Sequence, residues 1–263
     1  MCFDTSAASF YARLCKDGYD PESHIDVVPD HRLIYLCVPK SATTSIKMIL
    51  SALAGRDATS IRELHKRKYS GLKSPTLVGL SVFHKLATDS RTFRFSFVRN
   101  PYARLVSAWA DKFRDKSLSS CDSFVDQYLT HNWTIGSSKK SAGHTLSFAR
   151  FVEFAAATAG QRIDAHWQLQ DDLLDVPALK LDLIGKVENF DRDMAKVLDH
   201  VGADHHLRQA VGVHMNASRH EPWPKYYTRA LADRVYRAYE RDFDRFRYPR
   251  TIPVSQIEAV SQV

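Results

Sequence analysis

Lys40 stands directly before a run of hydroxyl side chains in the segment Pro39-Lys40-Ser41-Ala42-Thr43-Thr44-Ser45. A mobile ammonium group beside the hydroxyls of Ser41, Thr43, Thr44 and Ser45 is chemistry suited to an anion. A second group of this kind is formed by Arg99 and, in the stretch that follows it, Ser107. A guanidinium fork with a hydroxyl beside it makes a good phosphate receptor.

The elements that must position these residues can be read from the apolar pattern. Arg32 to Val38 is a short apolar run suited to a buried parallel strand, and Pro39 ends it. Ile46, Ile49, Leu50 and Leu53 then follow at helical spacing, with Gly55 as a stop. A loop between strand and helix presents backbone N–H groups and the positive end of the helix dipole, both of which favour an anion. An ordinary helix capped by Thr43 or Thr44 fits the same residues, and taken alone the loop leaves the two readings even. There is no Gly in the loop and the lysine precedes the hydroxyls, so the GxxxxGK[ST] pattern of Mg-dependent nucleotide kinases is absent.

The second group tips the balance. Phe93, Phe95 and Phe97 alternate with Arg94 and Ser96, and Val98 follows, which predicts a strand. Arg99-Asn100-Pro101 makes the turn, with Pro101 as the first helical residue. Leu105, Val106, Trp109 and Phe113 mark the buried side of a helix running to about Arg114. Arg99 thus falls just past a strand end, the usual ligand edge of a parallel sheet. Ser107 faces the same side of its helix as Arg104 and Asp111, which read as surface charges.

Further along, residues 127–147 read as an exposed loop rich in Gly and Ser that carries Lys139 and Lys140. Helices are expected over 148–157 and 192–201, a strand over Leu181 to Val187, and one long final helix from Leu231 to Phe246. This alternation predicts an α/β, P-loop-like three-layer fold with a central parallel sheet flanked by helices. Its 263 residues suit a single domain over 1–263.

Composition narrows the class without naming a ligand. The 44% hydrophobic and 25% charged residues are those of a globular chain with a core. The net charge of +7 makes an anionic guest plausible, but no basic block is long enough for a nucleic-acid arm. Cys2, Cys15, Cys37 and Cys121 are scattered, which argues against a zinc site or a disulfide framework. The first residues lack a signal-peptide pattern and no stretch reaches the length of a membrane span, so the expected location is cytoplasmic if this is the native terminus.

IYLCVPKSATTSIK resembles the 5′-phosphosulfate-binding loop of PAPS-dependent sulfotransferases (PAPS, 3′-phosphoadenosine 5′-phosphosulfate), and FSFVRNPYARLVSAWADKF resembles their 3′-phosphate-binding motif. The closest pattern is the carbohydrate sulfotransferase family that includes chondroitin 4-O- and HNK-1 sulfotransferases. DAHWQLQ (Asp164 to Gln170), LDLIGKVENFDRD (Leu181 to Asp193) and YRAYERDFDRFRYP (Tyr236 to Pro249) match that pattern in order. The resemblance runs from about Arg32 onward and leaves residues 1–31 as an uncovered extension. Unlike the Golgi members, the chain shows neither a membrane anchor nor the luminal cysteines, which points to a soluble, bacterial-type relative.

The resemblance implies roles for single residues. Lys40 would contact the phosphosulfate, cradled by Ser41, Ala42, Thr43, Thr44 and Ser45, and Arg99 and Ser107 would hold the 3′-phosphate. The implied reaction is metal-free in-line transfer of a sulfuryl group from PAPS to a carbohydrate hydroxyl, leaving PAP (3′-phosphoadenosine 5′-phosphate). Its general base would be His84 or His166, with a structural histidine beside Trp167 as the alternative for His166 and an ion pair with Lys186 as the alternative for a basic Glu188. His205 and His206 read as surface residues, and His214 and Asn216 match a family-like stretch without a derived role. A small-molecule kinase and a noncatalytic polyanion-binding protein are the competing readings. The acceptor is expected to be a glycan, with no nucleic-acid partner and no integral membrane segment.

Overall fold

The apolar runs at Leu33–Leu36 and Phe93–Val98 become the inner strands of a four-stranded sheet. The computed structural model describes residues 5–56, 60–64, 66–117, 123–134, 145–161, 163–203 and 221–253. In chain order the longer elements are α1 (Thr5–Leu14), β1 (Ile25–Val28), β2 (Leu33–Leu36), α2 (Thr43–Leu53), α3 (Leu80–Thr88), β3 (Phe93–Val98), α4 (Pro101–Lys112), α5 (Ser123–Thr134), α6 (Phe148–Thr158), β4 (Leu183–Lys186), α7 (Phe190–His200), α8 (Arg229–Ala238) and α9 (Glu240–Arg245). The chain divides into two compact units, Met1–Val98 with Leu173–Ala217 and Arg99–Asp172 with Ser218–Val263.

The first unit holds the whole sheet, in the order β1-β2-β3-β4. The pairs β2–β3 and β3–β4 are parallel, as expected, and β1 runs antiparallel to β2 through a tight turn at Pro29–His31. The sequence reading missed β1 because Asp26 interrupts its apolar run, yet that carboxylate is buried among cations. On one sheet face Leu33, Tyr35, Phe95 and Phe97 form a continuous core with Ile46, Ile49 and Leu50 of α2 and Phe190, Met194, Val197 and Leu198 of α7. Ile34, Leu36, Ser96 and Val98, which alternate with them, are buried as well, so the inner strands are covered on both faces, as parallel strands require. The buried Ser96 hydroxyl is satisfied by donating to the Leu36 carbonyl at 2.7 Å. Gly185 of β4 sits opposite Phe97, where an added Cβ would lie 2.6 Å from the ring.

The second unit is helical and aromatic at its centre. Trp167 is buried against Phe154, with ring centroids 5.4 Å apart, and against Phe113 and Phe151 at 5.9 Å. Burying rings of this size contributes about 1.5–3 kcal/mol each. Two expectations change here. Residues 123–134 form α5, so the segment read as a loop from residue 127 is helical as far as Thr134. Phe124, Val125, Tyr128 and Leu129 stand at helical spacing, and a loop read from residue 127 onward cuts that stripe in two. Lys139 and Lys140 lie outside the described residues. The final helix is two helices, interrupted at Tyr239, whose backbone leaves the helical region at φ −113°, ψ 20° while its hydroxyl donates to the Trp167 carbonyl. Among the described residues no helix is long and apolar enough to cross a membrane.

Candidate functional site

Lys40 and Ala42 both adopt left-handed backbone, at φ 68° and 58°, and Ser41 between them does not. A left-handed non-glycine residue costs roughly 1–2 kcal/mol, and such strain is held where a ligand-binding backbone needs it. Alternation of this kind turns backbone N–H groups toward a common point and forms an anion-receptive concavity. The loop is fixed from within. Ser41 N donates to the Val38 carbonyl at 3.2 Å, and the Thr43 hydroxyl donates to the same carbonyl at 3.0 Å. The first intrahelical bond of α2 runs from Ile46 N to the Ala42 carbonyl, so the amides of residues 43–45 open the helix and point along its axis. The cap is Ala42, with no side-chain oxygen, and not Thr43 or Thr44 as an ordinary capped helix would have it. Ser41 and Ser45 are buried.

The same unit holds an ion cluster that the sequence did not reveal. Asp26 is buried between Arg67, whose Nη1 donates at 2.7 Å, and Lys47 of α2, whose Nζ lies 3.0 Å from Oδ2 as an ion contact outside hydrogen-bond geometry. Burial drives the Tyr35 hydroxyl pKa well up and raises that of the Cys37 thiol. Cys37 therefore stays a protonated thiol, donating to Thr43 Oγ1 at 3.7 Å, and is no nucleophile.

His84 belongs to the same unit, on α3. Its ring packs on Phe10 at 4.9 Å, and among the described residues it has no carboxylate partner.

The second unit carries Arg99, Ser107 and His166. Arg99 follows β3 directly in the chain. Asn100 then caps α4, its side chain accepting from Tyr102 N at 2.9 Å, and Pro101 occupies the first turn, as the sequence indicated. Ser107 is buried in that helix. Arg104, read as a surface charge, is instead buried, with Nη1 donating to the Gln168 carbonyl and Nη2 to the Ala165 carbonyl, both at 2.6 Å. Asp111 is on the surface and pairs with Lys112 at 3.1 Å.

Arg104 thereby fastens the segment that carries His166. Asp164 accepts from the His166 backbone N–H at 2.8 Å and lies 2.7 Å from its Nδ1. Burial pushes the Asp164 carboxyl pKa up, but the hydrogen bonds and charge of His166 outweigh it and hold it below the usual value. Asp164 is thus ionised and can only accept, so Nδ1 is the ring nitrogen that donates to it. Phe124 stands edge-on to the imidazole at 5.4 Å. At the other end of the segment Gln170 bonds to both backbone groups of Arg99. The His166 segment and Arg99 are therefore joined within one unit. An Asp two residues before a His was the legible signal for the pairing, and it was not used. Among the described residues no three His, Cys, Asp or Glu side chains are arranged to hold a metal ion.

Comparison with known proteins gives a consistent picture. A family model described as the sulfotransferase family matches residues 23–249, beginning ahead of Arg32. Carbohydrate sulfotransferase 14 of Danio rerio is 29% identical over 188 residues, covering 70% of this chain and 50% of its own. Carbohydrate sulfotransferase 11 of Mus musculus is 29% identical over 243 residues, covering 86% and 67%. Carbohydrate sulfotransferase 12 of Mus musculus is 26% identical over 253 residues, covering 87% and 60%. The chain spans half to two thirds of the length of these relatives. No solved structure matches it.

Proposed function

The chain belongs to the sulfotransferase family, and from that premise we propose that it transfers a sulfuryl group from PAPS to a hydroxyl of a carbohydrate acceptor. The observation that carries this reading is the strained loop at residues 40–42, two left-handed non-glycine residues feeding the N-terminus of an eleven-residue helix. The relatives named as carbohydrate sulfotransferases support the acceptor class.

In this reading PAPS supplies the sulfuryl group and the phosphate that leaves. Lys40, the loop amides and the hydroxyls of Thr44 and Ser45 hold the phosphosulfate end, and Arg99 and Ser107 hold the 3′-phosphate. The acceptor oxygen forms a bond to sulfur as the bond from sulfur to the phosphate oxygen breaks. Negative charge grows on that leaving oxygen. A fixed ammonium there stabilises the transition state more than the ground state, which is the role assigned to Lys40.

The acceptor proton must go to a base. His166 is favoured over His84 because the ionised Asp164 holds Nδ1 and so fixes the ring's orientation, and the same carboxylate stabilises the imidazolium that forms when the ring takes the acceptor proton. The test has two stages. Thermal stability is first measured with PAP, ATP–Mg and duplex DNA in parallel, a ligand at 100 times its Kd adding about 2.7 kcal/mol. Transfer from labelled PAPS onto a glycan panel follows. Stabilisation by ATP–Mg or DNA without any by PAP would overturn the proposal.

A further inference from the structure

Gln170 is fully buried, and its carboxamide is divided between two partners. Oε1 accepts from Arg99 N at 2.9 Å, and Nε2 donates to the Arg99 carbonyl at 2.8 Å and to Asp242 Oδ2 at 3.2 Å. Arg99 lies between the last residue of β3 and the first of α4, so its backbone groups belong to neither ladder nor helix. Part-buried backbone groups of this kind need partners, and a single side chain supplies one to each. A primary carboxamide suits this task at any pH, since it presents an acceptor and a donor side by side.

Asp242 holds this side chain from behind. It is buried and accepts from Gln170 N at 3.0 Å and Asp171 N at 2.8 Å as well as from Gln170 Nε2. Burial drives its carboxyl pKa up, against the opposing charge of Arg104 and these N–H donors. A group this costly to bury has a function that three hydrogen bonds describe: it fixes both the main chain and the side chain of Gln170.

We infer that Gln170, anchored by Asp242, is a positioning residue that sets where the Arg99 guanidinium can reach, and so sets the recognition of the donor's 3′-phosphate. The inference rests on the reading of Arg99 as the 3′-phosphate contact. A two-pronged guanidinium contact tolerates little displacement, about 0.5 Å in functional sites, so the backbone that carries it must be held.

The test compares binding of PAP with that of 5′-AMP, which lacks the 3′-phosphate, by titration calorimetry of the full chain. Gln170→Met keeps the volume and removes both polar prongs. It should lower the PAP to 5′-AMP affinity ratio by about tenfold, the scale of one lost charge-assisted hydrogen bond, with 5′-AMP affinity held within about twofold. Arg99→Ala should collapse the ratio, and in that background Gln170→Met should change it no further, because the glutamine acts through the arginine. Asp242→Asn, which keeps shape and part of the accepting capacity, should lower the ratio in the same direction and provides the measurement if Gln170→Met does not fold. An unchanged ratio in the Gln170 and Asp242 variants, with Arg99→Ala collapsing it, overturns this inference and leaves the function standing. Additive effects of Gln170→Met and Arg99→Ala also overturn it. An Arg99→Ala protein that keeps the wild-type ratio removes the phosphate assignment itself.

Discussion

Asp164 Oδ1 accepts from the backbone N–H of His166 at 2.8 Å and lies 2.7 Å from the Nδ1 of the same residue. One carboxylate oxygen thus fixes the main chain and the ring together, and the imidazole can turn neither about its own axis nor with its peptide. In the proposed mechanism this orientation is set before the ring takes a proton.

The kinetic consequence separates the two histidines. His166→Ala should lower kcat by roughly 10²–10⁴-fold, the usual worth of a general base, with PAP affinity preserved. His84→Ala should leave kcat within a fewfold, since that ring packs on Phe10 and has no orienting carboxylate among the described residues. Steady-state rates with saturating PAPS decide it, and the opposite ranking would move the base to α3.

The same pair predicts an acid limit on stability. The Asp164 pKa is lowered in the folded protein, so its contribution is complete above the ordinary carboxylate range and is lost as pH falls through the lower, folded value. Urea midpoints measured from pH 6 to pH 2 should fall below about pH 4. Asp164→Asn should start lower and lose less over that interval. Parallel curves for the two proteins would show that the carboxylate is not titrating there.

Lys40 combines a backbone feature with a charge, and two substitutions separate them. Lys40→Ala should lose most turnover while PAP affinity falls only modestly, because the proposed mechanism assigns the ammonium to the leaving oxygen and not to the 3′-phosphate. Lys40→Gly should lose turnover equally but be more stable than the alanine variant by about 1 kcal/mol, since glycine accepts φ 68° without strain. Equal loss of PAP binding and of turnover would make Lys40 a binding residue only.

The buried ion cluster around Asp26 should behave as a unit. Lys47→Met removes one of the two cations on Asp26 and should destabilise the chain by on the order of 3 kcal/mol. Adding Asp26→Asn should recover part of that loss, since the buried carboxylate left with one cation in place of two is gone. Denaturant unfolding of the two variants checks this, and a double variant less stable than Lys47→Met would contradict it.

Gly185 tests the packing of β4. A methyl group there meets the Phe97 ring, which is itself wedged against Phe95 and Phe190 at centroid distances of 6.2 and 5.3 Å. Gly185→Ala should cost about 1–3 kcal/mol, and Phe97→Leu should recover part of it in the double variant. A melting temperature unchanged by Gly185→Ala would mean that the ring has room to move.

Much of this molecule was legible in the chain. The strands at Leu33 and Phe93 and the helices that follow them were read correctly because each is a local pattern, while the loop read as far as Ser45 ends at Ala42, since the helix begins at Thr43. A run of apolar residues, a Pro or Gly stop and a helical spacing are complete within about fifteen residues, and the physics that selects them is equally local. Arg99 and Ser107 were picked out for the same reason, by their place after a strand and within the helix that follows.

What the sequence hid depends on partners distant in the chain. Asp26 carried no signal for its burial between Lys47 and Arg67, and Arg104 looked exposed until the carbonyls of Ala165 and Gln168 were brought to it. Gln170 and Asp242 carried no signal at all, since nothing in a glutamine's neighbours announces that it will hold the backbone of a residue 71 positions away. Residue types and spacing determined the inner strands, the helices that follow them and the places of Lys40 and Arg99 just past two strand ends. Only the tertiary structure decided which buried charges are compensated and what holds the Arg99 backbone, because a polar group's cost or benefit is set by the partners that folding delivers to it.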